Sequence, residues 1–270
     1  MEKLIISVAL TGTWPTKDRT PYVPVTPAEI VEAAVACRNE GAAIVHIHAR
    51  DAQQRMTQDP AILEEIVGRI RARSDVLINL TTSGGVGVVA EEDRVNPLRF
   101  QPDLASFDAG SVNFQDRVFL NPPPFLEELA RRMKEARIKP EIECFDSGFI
   151  ANALRLAEEG LLEPPLYFQF VLGVRGAAPP TPKQLLHMVE QIPPGAPWSV
   201  CAIGRHQLPL NVMAMAIGGH VRTGLEDNIY YRRGELAPNH QFVARLVRIA
   251  REIGREIASP GDARAMLGIS

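Results

Sequence analysis

Short β-branched runs alternate with segments of helical periodicity along this 270-residue chain, and that alternation limits the folds open to it. The candidate strands are Leu4–Leu10, Ala43–His48, Val76–Thr81, Leu104–Asp108, Glu141–Phe145, Tyr167–Leu172, Ser199–Ile203 and a short His220–Arg222. Helical segments separate them at Pro27–Asn39, Pro60–Arg73, Glu91–Arg99, Pro123–Ala136, Phe149–Glu159, Pro182–Gln191, Leu208–Ile217 and Pro238–Ile253. Thr26, Asp59 and Thr181 each precede a proline, the order that helix N-termini favour. Eight strands each followed by a helix predict an α/β chain closed as a (β/α)8 TIM barrel rather than an open sheet. A single barrel over residues 1–270 is expected, with a short C-terminal helical extension beginning near Ser259-Pro260.

Composition excludes several classes of function. A net charge of −3 with no long basic stretch gives no footprint for nucleic acid. No 18-residue uncharged segment appears and Met1-Glu2-Lys3 leads straight into a strand, so a membrane partner and a signal peptide are not expected; the setting is read as cytoplasmic. Cys37, Cys144 and Cys201 are odd in number and far apart, which favours neither a disulfide framework nor a cysteine zinc site.

In such barrels chemistry sits where strands pass into the following loops. The second strand ends in His46-Ile47-His48, and because strand side chains alternate, both imidazoles face one way. Two such imidazoles can take adjacent corners of a zinc tetrahedron, and one carboxylate completes a site with an open position. Glu226 is the natural third ligand, since the eighth strand neighbours the first; Glu143 and Asp146 on the fifth strand are alternatives. Arg222 and Asp227 share the Glu226 loop, an arrangement that suits an oriented base. The Thr82-Ser83-Gly84-Gly85 loop offers hydroxyls and backbone N–H groups for a carboxylate or phosphate.

Taken together, Ala9-Leu10-Thr11-Gly12, Val25-Thr26-Pro27-Ala28-Glu29-Ile30, His46-Ile47-His48-Ala49-Arg50-Asp51, Thr82-Ser83-Gly84-Gly85, Gly110-Ser111-Val112-Asn113-Phe114, Glu141-Ile142-Glu143-Cys144-Phe145-Asp146 and Val221-Arg222-Thr223-Gly224-Leu225-Glu226-Asp227-Asn228 resemble the bacterial beta-keto acid cleavage enzymes over nearly the whole chain. The resemblance implies a (β/α)8 barrel, zinc held by His46, His48 and Glu226, and a homo-oligomer, often a tetramer. It implies a beta-keto acid and acetyl-CoA as substrates, with acetoacetate and a new acyl-CoA as products by Claisen and retro-Claisen steps. Asp227 is then the base with Arg222 as its partner, Thr82, Gly85 and Ser106 hold the substrate carboxylate, and Glu143 acts beside the zinc.

One departure bears on specificity. The amino-substrate member of the family has an acidic residue near the exit of the first strand, where this chain reads Thr13-Trp14-Pro15. Trp14 favours a non-cationic substituent or, through its ring face, a quaternary ammonium. Two other readings of the HxH remain in play: an amidohydrolase-like zinc hydrolase, which needs further histidines on later strands, and a catalytically silent metal- or metabolite-binding barrel.

Overall fold

A computed structural model describes residues 2–269; Met1 and Ser270, the two ends of the expected domain, lie outside them. Eight parallel strands close a barrel: β1 Ile6–Ala9, β2 Ile44–Ile47, β3 Leu77–Leu80, β4 Leu104–Asp108, β5 Lys139–Cys144, β6 Tyr167–Leu172, β7 Trp198–Ala202 and β8 His220–Thr223. Closure occurs at β1, which pairs Ser7 with Arg222 of β8 on one side and Ala9 with His46 of β2 on the other. The helices are α1 Pro27–Asn39, α2 Pro60–Arg73, α3 Pro123–Glu135, α4 Ser147–Glu158, α5 Pro182–Val189, α6 Gln207–Ala216, α7 Asn239–Glu252 and α8 Pro260–Leu267.

Local chemistry sets the helix starts. At α1 the Thr26 hydroxyl accepts from the Glu29 N–H at 3.2 Å and the Glu29 carboxylate accepts from the Thr26 N–H at 3.0 Å, so two end groups are satisfied reciprocally. Asp59 and Thr181 cap α2 and α5 as their sequence context predicts. The segment after β3 departs from the expected α-helix: Glu91–Phe100 is a 3-10 helix. Pro97 inside it lacks the N–H that an α-helical turn needs, and Gln101 ends it in the left-handed region at φ 49°.

Two faces of each strand do different work. Outward residues such as Ile6, Val8, Val45, Ile78, Phe107, Phe168 and Val221 are buried under the helices in one apolar cluster. Burying side chains of this size contributes about 1.5–3 kcal/mol each. Inward residues divide by height. At the base, Ile5, Ile44, Leu77, Leu104 and Tyr167 pack with Ala263 and Leu267 of α8, which closes the bottom. Above them the interior turns polar, with Ser7, His46, Asn79, Ser106, Glu141, Gln169, Ser199 and Arg222 all buried. An apolar floor beneath a polar upper layer places the chemistry at the C-terminal mouth.

Candidate active site

Alternation along β2 puts His46 and His48 on the inner face, where their Nε2 atoms lie 3.1 Å apart and their rings meet edge to face. Glu226 reaches them from the β8 loop, with Oε2 3.7 Å from His46 Nε2 and Oε1 3.4 Å from His48 Nε2. That reach depends on two glycines. Gly224 sits at φ +129° against β1, where a Cβ would lie 2.2 Å from the Ala9 carbonyl oxygen. Gly12 sits at φ +64°, and a Cβ there would lie 2.4 Å from Glu226 Cγ. The Trp14 indole N–H donates to the Glu226 carbonyl at 2.9 Å, closing the same junction from outside while the ring stays 49% exposed.

Arg222 organises the acids around this cluster. Its Nε and Nη2 donate to both Asp227 oxygens at 3.0 Å, Nη2 donates to Glu226 Oε1 at 2.8 Å, and Nη1 donates to Gln169 Oε1 at 3.2 Å. Glu143 Oε1 stands 3.6 Å from Nη1. The guanidinium is buried, so its charge is balanced by the acids it touches rather than by solvent.

Electrostatics separates the carboxylates. Burial opposes charge on Glu226, but His48, Arg222 and His46 hold it well below the usual carboxylate range. Burial dominates elsewhere: it pushes Asp108 up to about 6, Glu141 up to about 7 and Glu143 well above its ordinary value, each against the pull of Arg222. Asp227 is also raised by burial, opposed by Arg222. Burial drives His46 down to about 3, which leaves a neutral imidazole, the form that ligates a metal.

The residues fit a metal. His46 Nδ1, His48 Nδ1 and Glu226 Oε2 are buried without a hydrogen-bond partner, while the two Nε2 atoms lie 3.1 Å apart and the Glu226 carboxylate meets them with Oε1 3.4 Å from His48 and Oε2 3.7 Å from His46. Ligands about 2.0–2.1 Å from a tetrahedral centre stand about 3.3–3.4 Å apart. A second group, His46 with Glu141 and Glu143, also lies within 4.8 Å. Glu226 is the better carboxylate donor of the three, being the one held ionised, and Glu141 is already engaged by the Asn79 amide at 2.6 Å.

Other expectations are corrected or redirected. Asp146, an alternative ligand on sequence grounds, caps α4 by accepting from the Gly148 N–H at 2.8 Å and joins no metal group. His220 lies at the inner base of β8, accepting from the Ile5 N–H at 3.2 Å, and His206 sits in the 3-10 turn Gly204–His206. His187 belongs to α5 and His240 to α7. Among the described residues, only His46 and His48 of the six histidines enter a metal group, so the extra ligands of an amidohydrolase-like site are not assembled.

Thr82 and Ser106 bind each other. The Thr82 hydroxyl donates to the Ser106 carbonyl at 2.7 Å and the Ser106 hydroxyl accepts from the Thr82 N–H at 2.9 Å, which ties the ends of β3 and β4. The Ser106 hydroxyl keeps its proton to donate. Arg94 braces the same loop, donating to the Thr82 carbonyl at 2.8 Å while its guanidinium stacks on Phe125. Arg50 does the same for the β1 loop, donating to Thr11 Oγ1 at 2.8 Å and the Gly12 carbonyl at 2.6 Å. Sequence reading assigned neither arginine a role. Nor did it single out Asn79, Glu141 and Gln169, whose only sequence signal is a polar residue at an inward-facing strand position.

Residues 3–269 match the family model described as beta-keto acid cleavage enzyme. The chain belongs to this family. It is 40% identical over 272 residues to the 3-keto-5-aminohexanoate cleavage enzyme of Fusobacterium nucleatum subsp. nucleatum, covering 100% of this chain and 99% of that one. It is 38% identical to the 3-oxoadipate:acetyl-CoA acetyltransferase of Cupriavidus necator (98% of this chain, 94% of the relative) and 34% identical to the 3-dehydrocarnitine:acetyl-CoA trimethylamine transferase of Rhizobium meliloti (99% and 97%). Among solved structures, apo ObcA superposes with a TM-score of 0.84 at 23% identity, over 94% of this chain and 66% of that one, which bears on the fold alone.

Proposed function

We propose that the chain takes a beta-keto acid and acetyl-CoA to acetoacetate and a new acyl-CoA, with zinc held by His46, His48 and Glu226. The observation that carries this reading is the convergence of those three donors beside the Arg222–Asp227 pair, inside a polar barrel mouth, in a chain of this family. When bound, the metal supplies a Lewis acid that polarises the keto oxygen and offsets oxyanion charge without a proton.

Asp227 removes the proton from C2 of the keto acid, with Arg222 fixing both of its oxygens so that little reorganisation accompanies the transfer. C2 then bonds to the acetyl carbonyl carbon and the thiolate of CoA leaves. The thiolate next adds to the former keto carbon, and the bond from that carbon to C2 breaks. C2 takes back the proton held on Asp227, and acetoacetate leaves with the acyl-CoA formed beside it. Ser106 donates its hydroxyl proton to the substrate carboxylate, Thr82 holds Ser106 in place, and Gly85 lets the backbone approach. Glu143, against Arg222 and pushed up by burial, acts beside the metal ligands.

Trp14 stands where the amino-substrate enzyme is expected to carry an acid, and the reading assigns this chain a keto acid without a free ammonium group. No helix of the described residues is long and apolar enough to cross a membrane. A cytoplasmic homotetramer belongs to the same proposal, and light scattering of the purified protein tests the assembly. The metal assignment is tested by elemental analysis of wild type and the His46→Ala/His48→Ala double variant. About one zinc per wild-type chain and none in the variant is expected; equal zinc in both overturns the assignment.

A further inference from the structure

A second cleft, of ≈ 990 Å³, opens on the same rim between the loops that follow β7 and β8. Arg205, Arg232, Arg233 and Arg245 line it together with Tyr230 and Tyr231, and no carboxylate does. Arg232 is paired outside the lining with Glu235, and Arg245 lies over the Tyr231 ring at 4.1 Å, so both have structural partners. Arg205 and Arg233 form no ion pair among the described residues. Tyr231 is fixed in the wall by Phe242 and by Arg248, which donates to its hydroxyl at 3.0 Å. Tyr230 is left 50% exposed, its backbone set by Asn228, whose side chain bonds both the Tyr230 N–H and carbonyl.

The cleft adjoins the segments that carry the reacting centre. Asn228 follows Asp227 directly, and the Gly204 N–H donates to the Asp227 carbonyl at 2.8 Å. A ligand for this place is therefore a polyanion with a planar aromatic group, carrying at its far end the atoms that react at Asp227.

Resting on the reaction proposed above, we propose that this cleft takes the adenosine 3′,5′-bisphosphate end of the CoA thioester. Adenine stacks on Tyr230, the phosphates bind Arg205 and Arg233, and the pantetheine arm runs past Asn228 to the metal-ligand cluster. The walls explain why the positions are cationic and aromatic together: arginine forks match phosphate oxygens, and a half-exposed tyrosine ring gives the base a face that solvent otherwise covers.

Calorimetry with adenosine 3′,5′-bisphosphate as the probe tests this without requiring turnover. Arg205→Ala, Arg233→Ala and Tyr230→Ala alter exposed side chains and are expected to fold. Each arginine variant is expected to weaken binding by about 10-fold or more, the loss of one charge-assisted contact. KM for acetyl-CoA should rise in parallel while KM for the keto acid holds. Wild-type chain that fails to bind the probe, or wild-type affinity in all three variants, overturns the assignment. If acetyl-CoA turns over normally in the variants, the cleft assignment falls and the reaction stands. If the probe binds through these residues and no keto acid reacts, the cleft stands and the reaction falls.

Discussion

Asp227 carries the sharpest prediction at the residue scale. Asp227→Asn keeps the shape and one acceptor for Arg222 but removes the base, so kcat should fall by about 10²–10⁴-fold with metal content and circular dichroism retained. Near-wild-type turnover in a zinc-replete variant would assign the proton to another group. Trp14 bears on selectivity. Trp14→Glu puts a carboxylate beside the Glu226 loop and should shift the ratio of kcat/KM between 3-keto-5-aminohexanoate and 3-ketohexanoate toward the ammonium substrate by about 10–200-fold. An unchanged ratio places Trp14 outside the substrate site. The two histidines were legible in the sequence because strand alternation alone aligns them, and Glu226 because barrel closure makes β8 a neighbour of β1. Asn79, Glu141 and Gln169 were not legible as a group: each stands in a different strand, and only the folded barrel brings the Asn79 amide to Glu141 and Gln169 to Arg222.

Elements set the precision with which those residues meet. Strand and helix order follow from period and capping, so the barrel could be read from the chain. The Glu91–Phe100 segment could not be read as 3-10, because its charged, weakly periodic sequence resembles a poor α-helix until Pro97 is placed in a turn. The junction between the β1 and β8 loops was also hidden, since nothing local marks Gly12 and Gly224 as contact points rather than ordinary turns. Gly224→Ala should be strongly destabilising, because its Cβ meets the Ala9 backbone, which has no rotamer to yield. Gly12→Ala meets the flexible Glu226 side chain instead and should lower zinc affinity more than thermal stability. Comparing melting temperature and zinc titration for the two variants checks the contrast; equal behaviour would show that the junction does not position Glu226.

For the whole molecule, pH ties the base of the barrel to stability. His220 is buried where its Nδ1 accepts from Ile5, and burial lowers it from 6.5 to about 3. Below pH 6.5 the unfolded chain takes a proton there that the folded chain refuses, so stability is lost as pH falls toward 3 and the contribution is constant above 6.5. The slope from this one group is about 1.4 kcal/mol per pH unit. Urea midpoints of the chelator-treated protein between pH 7 and 4.5 should fall more steeply for wild type than for His220→Gln; parallel slopes would remove His220 as the cause. The catalytic account itself is tested most directly by following carbon. With acetyl-CoA labelled by ¹³C at the carbonyl and a panel of beta-keto acids, mass spectrometry and NMR should find the label at C3 of acetoacetate and an unlabelled acyl-CoA built from the keto acid. Label retained in acetate or in the acyl-CoA, or no acetoacetate with any keto acid in the zinc-loaded protein, would contradict it.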